Sequence, residues 1–239
     1  MAYPEKAVAK WFGKGRQNDV LYLRAWRDAP LTYSPEQEID PAWNVDRYET
    51  ILGHDSSGAL FERAANLTLR NQFYPKEVMV NVSEFGLENR TVQAGDRVLQ
   101  RIRLLQYKDK PILEALTVNE ITDVIQEPRR AGFTYVTTAA HSELGEWSPV
   151  VEWRENGEVA LVISVVSRTR PGSSYLSRRL ARRLQLRAHK LSIQNFLARL
   201  NGVPFRPEPG PAPRLQFLPV ALLLLSALIF VITFSRRER

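Results

Sequence analysis

The chain has 239 residues, 44% of them hydrophobic, no cysteine and a net charge of +7. That length suffices for one sizeable core, and the missing cysteine excludes disulfides, thiol catalysis and cysteine-bound zinc. The basicity is local: residues 1–158 carry 19 basic and 24 acidic residues, residues 159–207 ten basic and none acidic, and residues 208–239 four basic and two acidic.

Residues 1–16 form a basic amphipathic segment around Trp11 and Phe12, read as a docking helix or as a frayed end. It has no apolar run of the kind a secretory signal needs. A single domain is expected over residues 17–200. Asp55-Ser56-Ser57 caps a helix expected at about Gly58–Asn71, with Leu60, Phe61, Ala64, Ala65 and Leu67 on its buried side. Five strands are expected at Val98–Leu104, Leu113–Ile125, Phe133–Thr138, Ser148–Trp153 and Val159–Ser167. Asn156-Gly157 reads as a two-residue hairpin turn, and such short connections imply an antiparallel meander.

A long helix over Pro171–Leu200 is expected to close the domain. Leu176, Leu180, Leu184, Ala188 and Leu191 make its apolar stripe. Arg178, Arg179, Arg182, Arg183, Arg187 and Lys190 fall mostly on its other faces. The linker, residues 201–214, contains Pro204, Pro207, Pro209, Pro211 and Pro213. It favours an extended, semi-rigid spacer of about 35 Å. From Phe217 to Phe234 run eighteen residues without a charge, roughly 27 Å of helix and close to the hydrocarbon thickness of a bilayer. A transmembrane helix is therefore expected over 215–235, with a basic tail at 236–239. The expected topology is a single-pass C-terminal anchor in the cell membrane, with the domain on the cytoplasmic side. The tail arginines oppose this under the positive-inside rule, but moving a folded domain costs more than moving a short tail.

The stretch Glu127-Pro128-Arg129-Arg130-Ala131-Gly132-Phe133-Thr134-Tyr135 resembles a family of uncharacterised bacterial and plant proteins, domain of unknown function nineteen-ninety. The likeness continues through His141-Ser142-Glu143-Leu144-Gly145-Glu146, where family members carry His-Pro-Glu-x-Gly-Glu, and through Val150-Val151-Glu152-Trp153 and Gly157-Glu158-Val159. Upstream, Leu31-Thr32-Tyr33, Leu52-Gly53 and Phe61-Glu62-Arg63-Ala64-Ala65 are also similar. The resemblance spans roughly Leu31 to Leu200 and implies no activity. An early helix, a meander and a long closing helix are similar to the helix-grip arrangement of lipid- and polyketide-binding domains. The expected fold is thus α+β, a meander sheet wrapped on a long C-terminal helix.

His141, Glu143 and Glu146 form the main polar cluster, read as an acid–base group on a loop or as a solvated hairpin turn with Gly145 supplying backbone freedom. Arg129 and Arg130 would take a carboxylate or phosphate at a cavity mouth, or simply mark a surface connection. Phe133, Tyr135, Trp147 and Trp153 line a ligand cavity or are core. The arginines of the long helix face anionic lipid, face a protein partner, or are solvated; nucleic acid is disfavoured by the acid-rich body. His54, His141 and His189 lie on separate elements without metal-ligand spacing. No Gly-x-Ser-x-Gly elbow and no phosphate loop occurs. No metal and no cofactor are expected.

The function expected on this basis is a membrane-anchored, non-enzymatic binding domain for an apolar or amphipathic small molecule or lipid. The alternatives are a cyclase- or hydrolase-type enzyme using His141 with Glu143 or Glu146, and a tethered scaffold that recruits a protein through the arginine face.

Overall fold

The computed structural model describes residues 10–11, 19–107 and 110–206. The transmembrane helix expected over 215–235, the basic tail, the linker beyond residue 206 and most of segment 1–16 lie outside those residues. Among the described residues no helix is long and apolar enough to cross a membrane.

The elements run β1 (Lys10–Trp11), α1 (Asp19–Ala25), β2 (Asn44–His54), α2 (Ala59–Leu69), β3 (Met79–Ser83), α3 (Glu84–Leu87), β4 (Arg97–Tyr107), β5 (Lys110–Glu127), β6 (Arg130–Thr137), β7 (Glu143–Trp153), β8 (Glu158–Thr169) and α4 (Tyr175–Leu200). One antiparallel sheet has the order β2-β8-β7-β6-β5-β4-β3, with β1 pairing on β5. The expected meander is β4 to β8. The early strand β2 returns to pair with β8 (Tyr48 opposite Ile163), and β3 pairs with β4.

Strand alternation divides the side chains between two faces. On the outer face, Leu99, Leu116 and Val118 pack with Leu23, Trp26 and Ala29, while Val136 packs with Tyr33 and Trp43. On the inner face, Val98, Ile121, Phe133, Trp147, Val151, Leu161 and Val165 pack with Phe61, Ala64 and Ala65 of α2 and Phe196 and Leu200 of α4. Each large side chain buried here contributes roughly 1.5–3 kcal/mol of transfer free energy. The long closing helix and the sheet it packs on are therefore present as expected.

Asp55 fastens the start of α2. Its Oδ1 accepts from the backbone of Ser57 and Gly58 (3.0 and 2.9 Å), and its Oδ2 from Leu60 and Phe61 (2.8 and 3.0 Å). Burial opposes its ionisation, but these donors outweigh it and hold the carboxyl down at about 2.

Two expectations are corrected. The β7–β8 turn is longer than two residues: Arg154 N donates to Glu158 O (2.8 Å), leaving Glu155-Asn156-Gly157 as the loop, with Gly157 at φ +85°. This is the three-residue hairpin that places glycine in the left-handed position. Gly145 lies inside β7 rather than on a turn. It stands at φ +138°, and a Cβ there would meet the Val166 carbonyl oxygen at 1.9 Å. The face of α4 that meets the sheet is not the leucine stripe. Leu176 is 66% exposed, whereas His189, Ser192, Asn195 and Phe196 are buried. The reason lies in the wall beneath, where Asp46 and Ser167 select polar helix residues: Arg182 makes two 2.6 Å bonds to Asp46, and Gln185 Nε2 donates to Ser167 Oγ (2.9 Å).

Candidate functional site

Under α4 the inner face of the sheet carries an aromatic group. Tyr135 and Trp147 stand directly opposite in the β6–β7 register and stack at 5.1 Å. Phe133 lies 5.8 Å from Trp147, and Phe73 meets it edge-on at 5.0 Å. Phe196 of α4 stacks on Phe73 at 4.9 Å. Phe133, Tyr135 and Trp147, three of the expected ligand residues, are thus brought together.

A polar set adjoins them. Gln100 of β4 faces Thr117 of β5, and Asn119 follows two residues along the same face; all three are buried. Burial pushes the Tyr135 hydroxyl up to about 12, against the opposing influence of Gln100 and Tyr74. Burial likewise drives Tyr74 well above its ordinary value. Across the sheet, Tyr48 of β2 stacks on His189 of α4 at 5.2 Å. Among these groups Gln100 Nε2, Thr117 Oγ1, both polar atoms of Asn119, Trp147 Nε1, Tyr48 Oη and His189 Nδ1 are buried with no hydrogen-bond partner. Such an orphan costs about 1–3 kcal/mol. An interior built for packing alone would carry valine or leucine at these positions.

Glu143 opens β7 on the inner side. Burial raises its carboxyl to about 7 against the pull of Arg182, and its field raises Tyr74 and Tyr135. Glu146, an odd number of residues along β7, is on the outer face; burial raises it too, and it acts on Tyr33. His141 belongs to the β6–β7 loop. Glu143 N donates to its Nδ1 (2.9 Å), and Arg170 Nε donates to its backbone oxygen (2.8 Å). Burial, helped by Arg170, lowers the imidazole to about 4. It is a neutral acceptor that shapes the loop. Among the described residues no hydrogen bond joins it to either carboxyl, and Glu143 and Glu146 stand on opposite faces of the sheet.

The remaining expected ligand residues are elsewhere. Trp153 lies six residues from Trp147, roughly 20 Å along the strand. It stacks on Phe61 at 6.1 Å, donates to Asp55 O (3.1 Å) and carries the Arg129 guanidinium 4.8 Å above its ring. Arg130 is exposed beside Glu127 (3.4 Å) and Glu152 (3.9 Å). Of the basic residues on α4, Arg182 turns inward to Asp46, while Arg178, Arg179, Arg183, Arg187 and Lys190 are exposed. Among the described residues no group of three or more His, Asp or Glu could hold a metal ion.

Sequence reading missed Tyr48, Tyr74, Gln100, Thr117, Asn119 and His189. Gln100, Thr117 and Asn119 left a signal, since polar residues recur at every second position between apolar ones. Tyr48 and Tyr74 left none, because their strand and loop show no apolar period.

Residues 29–195 match the family described as Domain of unknown function (DUF1990). The chain belongs to that family. No curated protein matches it. Among solved structures, this DUF1990 chain is similar to the ZhuI aromatase/cyclase from Streptomyces sp. R1128, at 12% identity and a TM-score of 0.45, covering 66% of this chain and 94% of that one. It is also similar to hypothetical protein jhp0584 from Helicobacter pylori, at 12% identity and a TM-score of 0.40, covering 65% and 87%. Ginseng major latex-like protein 151 from Panax ginseng gives 11% identity and a TM-score of 0.40, covering 66% and 97%.

Proposed function

We propose that this DUF1990 domain is a non-enzymatic binding module that holds one amphipathic small molecule or lipid between α4 and the inner face of the sheet. The carrying observation is the run of buried, unpartnered polar atoms at Thr117, Asn119, Trp147, Tyr48 and His189 beside the aromatic group. A ligand with an apolar body and neutral hydroxyl or carbonyl groups satisfies both: the body lies on aromatic surface and the oxygens meet Trp147 Nε1–H and the Asn119 amide. In the same reading, residues 215–235 anchor the chain in the cell membrane, with the domain on the cytoplasmic side.

Native mass spectrometry of the full-length protein, followed by solvent extraction, tests the binding. The expected result is one compound in stoichiometric amount, distinct from detergent and bulk lipid. A protein that carries only detergent, and takes up nothing from a lipid and metabolite extract, rules the reading out.

A further inference from the structure

Tyr175 is 62%, Leu176 66%, Leu180 37% and Leu186 43% exposed. At helical spacing the exposed Leu176 and Leu180 fall in one stripe with the half-buried Leu184 and Leu191, opposite Arg182, Gln185 and His189, which meet the sheet side. Arg179, Arg183, Arg187 and Lys190 border the stripe along one side. Among the described residues Arg178, Arg183 and Arg187 make no ion pair, and Arg179 lies over the ring of Tyr175 at 5.8 Å.

Leucines facing outward beside a row of cations match the boundary of an anionic bilayer, where apolar side chains enter below the headgroups and guanidinium groups meet phosphates. A nucleic-acid backbone would use the arginines and leave the leucines in water. Proximity points the same way: α4 ends at Leu200, and the uncharged run begins at Phe217. The helix is roughly 39 Å long, and a spacer of about 35 Å allows it to lie along a surface.

We infer that the outward face of α4 docks on an anionic lipid bilayer, so that the domain lies flat against the membrane instead of hanging from its spacer. Only the proximity argument rests on the anchor of the preceding reading. Because the chain has no cysteine, Leu180→Cys can carry a single environment-sensitive fluorophore. The labelled full-length protein is reconstituted into phosphatidylcholine nanodiscs with and without phosphatidylserine, and co-elution with the discs reports the anchor independently of the dye. Docking gives blue-shifted emission in phosphatidylserine discs only, reversed by salt and weakened about fivefold for each of Arg179→Gln, Arg183→Gln and Arg187→Gln. Co-elution with the same emission in both discs overturns docking and leaves the anchor standing. Emission already blue-shifted without lipid shows a face covered by protein and also overturns it. Failure to co-elute sinks the anchor alone; vesicles of the same two lipid compositions, added from solution, then decide docking by the same shift.

Discussion

Thr117 and Asn119 hide polar atoms that no protein group satisfies, and this makes stability and binding pull in opposite directions. Thr117→Val keeps the shape, removes the orphaned hydroxyl and suits a strand. It is expected to raise the stability of ligand-free protein by about 1 kcal/mol in denaturant titration while lowering the amount of compound that co-purifies. A loss of stability would show that the hydroxyl already has a partner. Glu143 gives a second, pH-dependent test. Its folded value of about 7 lies above the ordinary 4.5, so folding favours the proton, and stability falls as pH rises from about 4.5 to about 7. Glu143→Gln should therefore leave acid stability unchanged and raise the melting temperature above neutral pH. His141 and His189 act in the opposite sense, both lowered to about 4 from 6.5 by burial. In Glu143→Gln, stability should then fall as pH drops from about 6.5 to about 4, because the unfolded imidazoles take up protons that the folded ones refuse. A flat profile over that window contradicts the burial of both rings.

At the scale of elements, α4 is held by different means along its length. Its second half is packed through Phe196 and Leu200 and through Asn195 Nδ2, which donates to Phe73 O (2.7 Å). Its first half depends on Arg182 with Asp46 and Gln185 with Ser167. Asp46→Ala leaves a half-buried guanidinium unmatched, at a cost of about 1.5–3 kcal/mol. Trypsin should consequently cut between Arg178 and Arg187 faster in that variant, with the rest of the domain protected; an unchanged digestion pattern would show that the pair is dispensable. In β7, Gly145→Ala forces a methyl group against the Val166 carbonyl in a backbone conformation that alanine resists. A loss of about 3 kcal/mol or more is expected, read as a lowered denaturation midpoint.

For the whole molecule, the meander from β4 to β8 was legible because its strands alternate and are separated by short turns. The closing helix was legible from its length and its glycine-proline stop. What the sequence could not reveal was which face of α4 meets the sheet. The leucine period and the arginine period are both regular, and the choice falls to Asp46 and Ser167, on β2 and β8. The candidate site was half legible for a similar reason. Phe133, Tyr135 and Trp147 lie within one motif, whereas Tyr48, Tyr74 and His189 join them only through the β2–β8 pairing and the packing of α4. Gly145 was noticed, but its strand position depends on the close approach of β8.

The proposed function requires a small molecule in contact with Trp147. The indole N–H resonance of Trp147, assigned with Trp147→Phe in the full-length protein, reports on that contact directly. Removing the bound compound by solvent exchange should shift this resonance, and returning the extract should restore it. An indole signal that stays fixed through depletion and return would mean that the polar interior holds no ligand.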